Sequence, residues 1–136
     1  MIVCGIELAS SEARLVVLSG TKDNYSLVET SPPKIILGDD ENPDEVKAFK
    51  NAIDAFFREY HVEKIAIKKR NKKGEYSGGP LSFKMEGLIQ LYPSCRIVLI
   101  SPQSISAAKR NFSPDYPENI NKYQHVAFDT AFTALE

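Results

Sequence analysis

The residues best equipped for chemistry form a basic run: five of the six positions from Lys68 to Lys73 are Lys or Arg. Lys68, Lys69, Arg70, Lys72 and Lys73 supply only donors and positive charge, which suits a phosphodiester backbone. The run leaves the end of a strand-like segment, "EKIAIKK", and "SGGP" then opens a helical pattern. In α/β sheets ligands generally sit beyond the carboxyl ends of strands, and free amides at a helix start favour anions. A solvated loop is the competing reading, because the phosphate-loop pattern GxxxxGK[ST] is absent and Tyr76 is the only aromatic at hand for base stacking. A second constellation is His125 and Asp129, four residues apart on a helical segment. That spacing places both on one face, as a metal pair, an acid/base pair or a helix-surface hydrogen bond. His61 ends a helical segment, where a cation complements the negative helix terminus.

The totals narrow the field. A chain of 136 residues fits one domain, taken as 1–136, with room for a core. With 17 Lys+Arg against 18 Asp+Glu the net charge is −1, so attraction to nucleic acid or membrane must come from local clusters rather than from the whole molecule. Cys4 and Cys95 lie in apolar runs without CxxC spacing, and the expectation is buried, reduced thiols. The opening "MIVCGIEL" has neither a basic leader nor a long apolar stretch, so no membrane association and a cytoplasmic location are expected.

The elements that must position these residues follow from periodicity. Ile2–Leu8, Ala13–Gly20 and "YSLVET" are expected as three strands of an antiparallel meander, with "SSE" as the first turn. Pro32 and Pro33 then interrupt the ladder, having no N–H to donate. Asn42 is a helix cap, Pro43 suits the first helical position, and Asp44 and Glu45 suit the positive helix start. Phe49, Ile53, Phe56 and Phe57 recur at helical spacing, predicting a helix from Pro43 to about Tyr60. A strand, a helix over "GGPLSFKMEGLIQLY", the strand "RIVLIS", a helix capped by Ser101 from Pro102, and a last helix from about Ile120 to Leu135 complete the chain. Gly87 is a position for close helix-to-sheet packing. The order β-β-β-α-β-α-β-α-α implies a mixed sheet, part meander and part parallel, flanked by helices.

This order, with an acid in the first strand, resembles the ribonuclease-H-like fold, and within it the RuvC-type resolvase branch of metal-dependent nucleases. "CGIEL" is similar to the branch's first-strand motif, in which Gly-Ile precedes an aspartate; "KIAIKKRN" is similar to its fourth strand, which normally ends in glutamate; "AFDTAFTAL" resembles its last helix. The chain also resembles an uncharacterised bacterial protein family placed in this fold. The resemblance implies catalytic positions at Glu7 and Asp129, with both as ligands of Mg2+ or Mn2+, and it puts Lys68 where the fourth-strand glutamate would stand. A further carboxylate one turn before Asp129 is missing, since His125 and Val126 lie there.

Paired-metal phosphodiester cleavage wants three or four carboxylates. An ammonium at position 68 supplies no lone pair, and an ion pair between Lys68 and Glu7 across the sheet end is expected instead. Glu86 and Glu75 are the other acids nearby, one on a helix and one in a loop. The expectation is a ribonuclease-H-like protein with a degenerate metal site and nucleic acid as partner, with Lys69, Arg70, Lys72 and Lys73 on the phosphates. The alternatives are a non-catalytic module for protein interaction or homodimer formation and, more distantly, a divergent metal-dependent nuclease. A phosphometabolite site like that of actin-like ATPases would need a glycine-rich loop where "ASSEA" stands.

Overall fold

The computed structural model describes residues 1–70 and 79–136. Lys72, Lys73, Glu75 and Tyr76 lie outside the described residues. Chain order is β1 (Ile2–Ala9), β2 (Glu12–Gly20), β3 (Tyr25–Val28), β4 (Lys34–Ile36), α1 (Pro43–Glu59), β5 (Lys64–Lys68), α2 (Pro80–Gln90), β6 (Arg96–Ile100), α3 (Pro102–Phe112), a 3-10 turn at Lys122–Gln124, and α4 (His125–Ala134). The sheet runs β3-β2-β1-β5-β6, with β4 also paired to β2. β1, β5 and β6 are parallel, while β2 is antiparallel to β1, β3 and β4. This is the mixed, helix-flanked sheet expected from the element order.

Alternation along the strands divides the interior into two layers. Cys4, Ile6 and Leu8 of β1 face α1 and α2, where Phe49, Ile53, Phe57, Met85 and Ile89 close one core. Val3 and Gly5 face the other way, toward α4, whose Ala127, Phe128, Ala131 and Phe132 close the second. Gly5 is the point of closest approach. A Cβ there would sit 2.2 Å from the Ala127 carbonyl oxygen and 2.4 Å from the Ala131 amide nitrogen. Gly87 does not have the packing role expected of it, because nothing lies within 4 Å of where its Cβ would be.

Two other expectations are corrected. The ladder resumes after the prolines: Pro33 cannot donate, but its carbonyl accepts from the Leu15 amide at 3.0 Å, which seats Lys34–Ile36 as β4. The final helix does not begin at Ile120. The Gln124 side chain accepts from the Asn121 amide at 2.7 Å, a capping box that starts a 3-10 turn and leaves α4 to begin at His125. The first helix is as expected, with the Asn42 side chain accepting from the Asp44 amide at 2.9 Å. It ends in a Schellman arrangement, with His61 in the left-handed position at φ 52° and the Val62 amide donating to the Phe57 carbonyl. His61 is therefore structural, through its backbone.

Candidate functional site at the carboxyl edge of the parallel strands

The two-residue turn at Ser10–Ser11 closes Ala9 opposite Glu12, and that register puts Glu7 opposite Arg14. The β2–β4 register then puts Arg14 opposite Lys34. Glu7 shares the face of Gly5 two residues before it, so the row lies on the α4 side of the sheet. Arg14 is its hub: Nη1 is 3.3 Å from Glu7 Oε1, and Nε donates to Glu12 Oε2 at 3.0 Å. Lys34 Nζ stands 3.7 Å from the other Glu12 oxygen. The Tyr123 ring covers both cations, 5.7 Å from Arg14 Cζ and 4.9 Å from Lys34 Nζ. Partial burial works against the Arg14 charge, but the hydrogen bond it donates to Glu12 and the nearby Glu7 and Glu12 carboxylates more than offset it, and the guanidinium pKa is raised.

The expected ion pair between Lys68 and Glu7 is absent; Arg14 takes that place. β1 and β5 pair as far as Ile6 opposite Ile67, so the strand continuation sets Lys68 on the same face as Glu7, yet the two side chains are not within ion-pair distance. A cross-strand antiparallel partner holds Glu7 instead. The basic run does leave the carboxyl edge: the Lys69 amide donates to the Ile100 carbonyl at 2.8 Å, and Arg70 Nη1 donates to the Leu8 carbonyl at 2.5 Å. Arg70 thereby spans from the end of β5 to the end of β1, beside Glu7.

Asp129 lies on α4 at only 5% exposure. Its Oδ2 accepts from the Tyr116 hydroxyl at 3.0 Å and is 3.3 Å from Lys109 Nζ, which is itself 3.2 Å from the same hydroxyl. These contacts, Tyr116 first, hold the Lys109 pKa above its ordinary value. Asp129 Oδ1 is buried and has no hydrogen-bond partner among the described residues. His125 does not bond to Asp129 as expected for a helix-surface or acid/base pair. Tyr116 intervenes, stacking on the imidazole with centroids 3.8 Å apart and planes 6° from parallel while its hydroxyl serves Asp129.

Glu7 and Asp129 thus belong to the same side of the sheet but to separate networks, and no hydrogen bond or ion pair joins the two among the described residues. Paired metal ions would need several carboxylate oxygens around a span of roughly 4 Å. Among the described residues no three His, Cys, Asp or Glu side chains gather to hold a cation, and each acid has a cation of this chain as its neighbour. The donor set does not fit the metal pair. Glu86, half-buried on α2, makes no ion pair among the described residues. A cleft of about 340 Å3 between β2, β3 and residues 119–121 is lined by Leu27, Glu29, Thr30 and Asn121, and by none of the expected site residues.

The Arg14, Lys109 and Tyr116 partnerships were not foreseen. A signal existed for the first, since a two-residue hairpin loop fixes register. For Lys109 and Tyr116 no local signal existed, because only tertiary packing brings α3 and the following loop to Asp129.

Compared with solved structures, the chain is similar to Thermus thermophilus RuvC, with a TM-score of 0.73 at 11% identity over 98% of this chain and 92% of that one. It is similar to T. thermophilus RuvC in complex with Holliday junction substrate at a TM-score of 0.68, with 13% identity and 98% and 91% coverage. It is also similar to the fowlpox virus Holliday junction resolvase at 0.51, with 10% identity and 98% and 94% coverage. The fold is accordingly a RuvC-like, ribonuclease-H-like α/β fold. No curated protein sequence matches the chain. The sequence from residue 1 to 134 matches the family described as "Protein of unknown function (DUF3010)", and the chain belongs to that family.

Proposed function

We propose that this protein holds nucleic acid at the carboxyl edge of β1, β5 and β6 and that its metal site is degenerate. The observation that carries the reading is the charge arrangement at that edge. Glu7 is paired with Arg14 and Arg70 reaches across to the Leu8 carbonyl beside the basic run, while the other expected acid, Asp129, is paired with Lys109 between α3 and α4. An edge whose acids are internally neutralised, and which adds Lys68, Lys69 and Arg70, attracts phosphate without an intervening cation. Arg70 spends one donor on Leu8 and has four left for a phosphate. The solved complex of a similar fold with junction substrate supports branched DNA as the first ligand to try.

The test is fluorescence anisotropy with branched and duplex DNA in EDTA across a salt series. With three phosphate contacts, affinity is expected to fall roughly 40-fold between 50 and 200 mM salt. Lys69→Glu with Arg70→Glu is expected to weaken binding and reduce the salt slope by about two. Absence of binding at low salt, or binding indifferent to both substitutions, overturns the reading.

One observation favours a second reading, a self-associating module. β6 pairs with β5 alone among the described strands and presents Leu99 at 40% exposure, and a half-apolar free edge is a template for another strand. Sedimentation of the full chain separates the two: a concentration-dependent dimer without DNA affinity favours the second.

A further inference from the structure

We propose that Arg14 and Lys109 are built-in counter-ions, fixed side-chain charges that occupy the cation-binding capacity of Glu7 and Asp129, and that removing Lys109 turns Asp129 into a site for a hard divalent cation. The proposal rests on the degenerate-site reading above and adds what replaces the metal.

Two closed circuits carry it. In the first, Arg14 lies opposite Glu7 in the strand register and bonds Glu7 and Glu12 with two different nitrogens of one rigid fork. Those carboxylates are only 14% and 17% exposed, so neither is fully solvated and each gains from a fixed cation. In the second, Lys109, Tyr116 and Asp129 form a triangle of 3.2, 3.0 and 3.3 Å edges. Asp129 is the most buried carboxylate of the two networks, and a buried charge without a partner is strongly disfavoured. The ammonium comes from α3 and the acid from α4, so the pair also ties those helices together.

The orphaned oxygen sharpens the inference. Among the described residues Asp129 Oδ1 has no donor, while Oδ2 is occupied by Tyr116 and Lys109. A divalent ion approaching this carboxylate would meet Lys109 at contact range of the same group and would be repelled. With the ammonium gone, one carboxylate offers two oxygens and Tyr116 a third, all hard ligands suited to Mg2+ or Mn2+.

The experiment titrates Mn2+ into the full chain, following the free-ion electron paramagnetic resonance signal and thermal melting. The unaltered protein and Lys109→Arg, which keeps the charge, are expected to take up no Mn2+ and to melt at the same temperature with or without it. Lys109→Met is expected to take up Mn2+ at concentrations where the unaltered chain takes up none, to gain a Mn2+-dependent rise in melting temperature, and to lose both when Asp129→Asn is added. If Lys109→Met is unfolded in EDTA, refolding on addition of Mn2+ supports the proposal and failure to refold overturns it. A folded Lys109→Met that binds no more Mn2+ than the parent overturns it, as does uptake by the parent that disappears with Glu7→Gln. Failure of DNA binding in EDTA sinks the function proposed above while leaving the counter-ions untouched.

Discussion

Gly5→Ala is the substitution that most directly examines how β1 and α4 are held together. The added methyl would meet the Ala127 carbonyl oxygen at 2.2 Å, the Ala131 amide nitrogen at 2.4 Å and the Ala131 Cβ at 2.6 Å. Two of these are backbone atoms within a helix, so no side-chain rotation relieves them. Restoring ordinary contact requires α4 to back away by roughly 1 Å, and such a gap forfeits a quarter to a half of each dispersion contact along the seam. Seven of the ten α4 residues are buried, so that loss is spread over most of the helix. The cost is expected at or above the upper end of the overpacking range, about 3 kcal/mol. For 136 residues the unfolding entropy is roughly 0.29 kcal/mol/K, which converts the loss into a melting temperature lower by about 10 °C. Gly87→Ala is the matched control: its Cβ enters open space inside α2, so it is expected to stabilise by about 0.5–1 kcal/mol. Urea unfolding with both midpoint and slope recorded, together with calorimetry, reads both variants. An unchanged midpoint for Gly5→Ala, or equal losses for the two glycines, would refute the seam.

Phe49→Ala is expected to cost roughly 3–5 kcal/mol through the cavity it leaves under α1, where Phe49 is 1% exposed; a denaturation midpoint equal to the parent's would show that the core is elsewhere. Burial, with a smaller contribution from Cys95, drives the Cys4 thiol pKa far up, and burial raises that of Cys95 as well. Thiol labelling of native protein at about pH 8 is therefore expected to modify Cys95 slowly and Cys4 only after unfolding. Rapid labelling of two thiols in the native state would contradict the placement of Cys4.

The sequence was most legible where a residue's job is local. Asn42, Pro43, Asp44 and Glu45 announced α1 because a cap acts within one turn, and Ser101–Pro102 announced α3 in the same way, the Ser101 hydroxyl accepting from the Ser104 amide at 3.1 Å. β4 escaped notice because three residues carry too little periodicity, and the proline beside them argued against pairing although only its N–H is missing. The start of α4 was written in Asn121 and Gln124, a capping box hidden by amides where Ser and Glu are usual. The site was half legible. That Glu7 and the end of β5 share one sheet face followed from parallel neighbours, but the partner of Glu7 followed from the hairpin, which outranks the parallel strand because the register sets Arg14 directly opposite. For Asp129 no spacing along the chain could name Lys109 and Tyr116.

The two faces of the sheet differ in a way that bears on function. Beneath α1 and α2 the cluster is built from apolar residues, with Ile6, Leu8, Leu15, Phe49 and Ile67 among them. The face under α3 and α4 is where Glu7, Arg14 and Asp129 are committed to ion pairs. Both layers carry a buried apolar cluster, and the second accommodates its charges beside it as ion pairs. Because side chains alternate strictly, a one-residue slip of β2 against β1 would turn Arg14 into the apolar layer and leave Glu7 without its partner, a penalty that fixes the register together with the ion pair. Arg14 bonding both Glu7 and Glu12 then acts as a clasp at the turn end of the hairpin. The charge row on this face therefore has a structural job in the hairpin, whatever else binds at the edge.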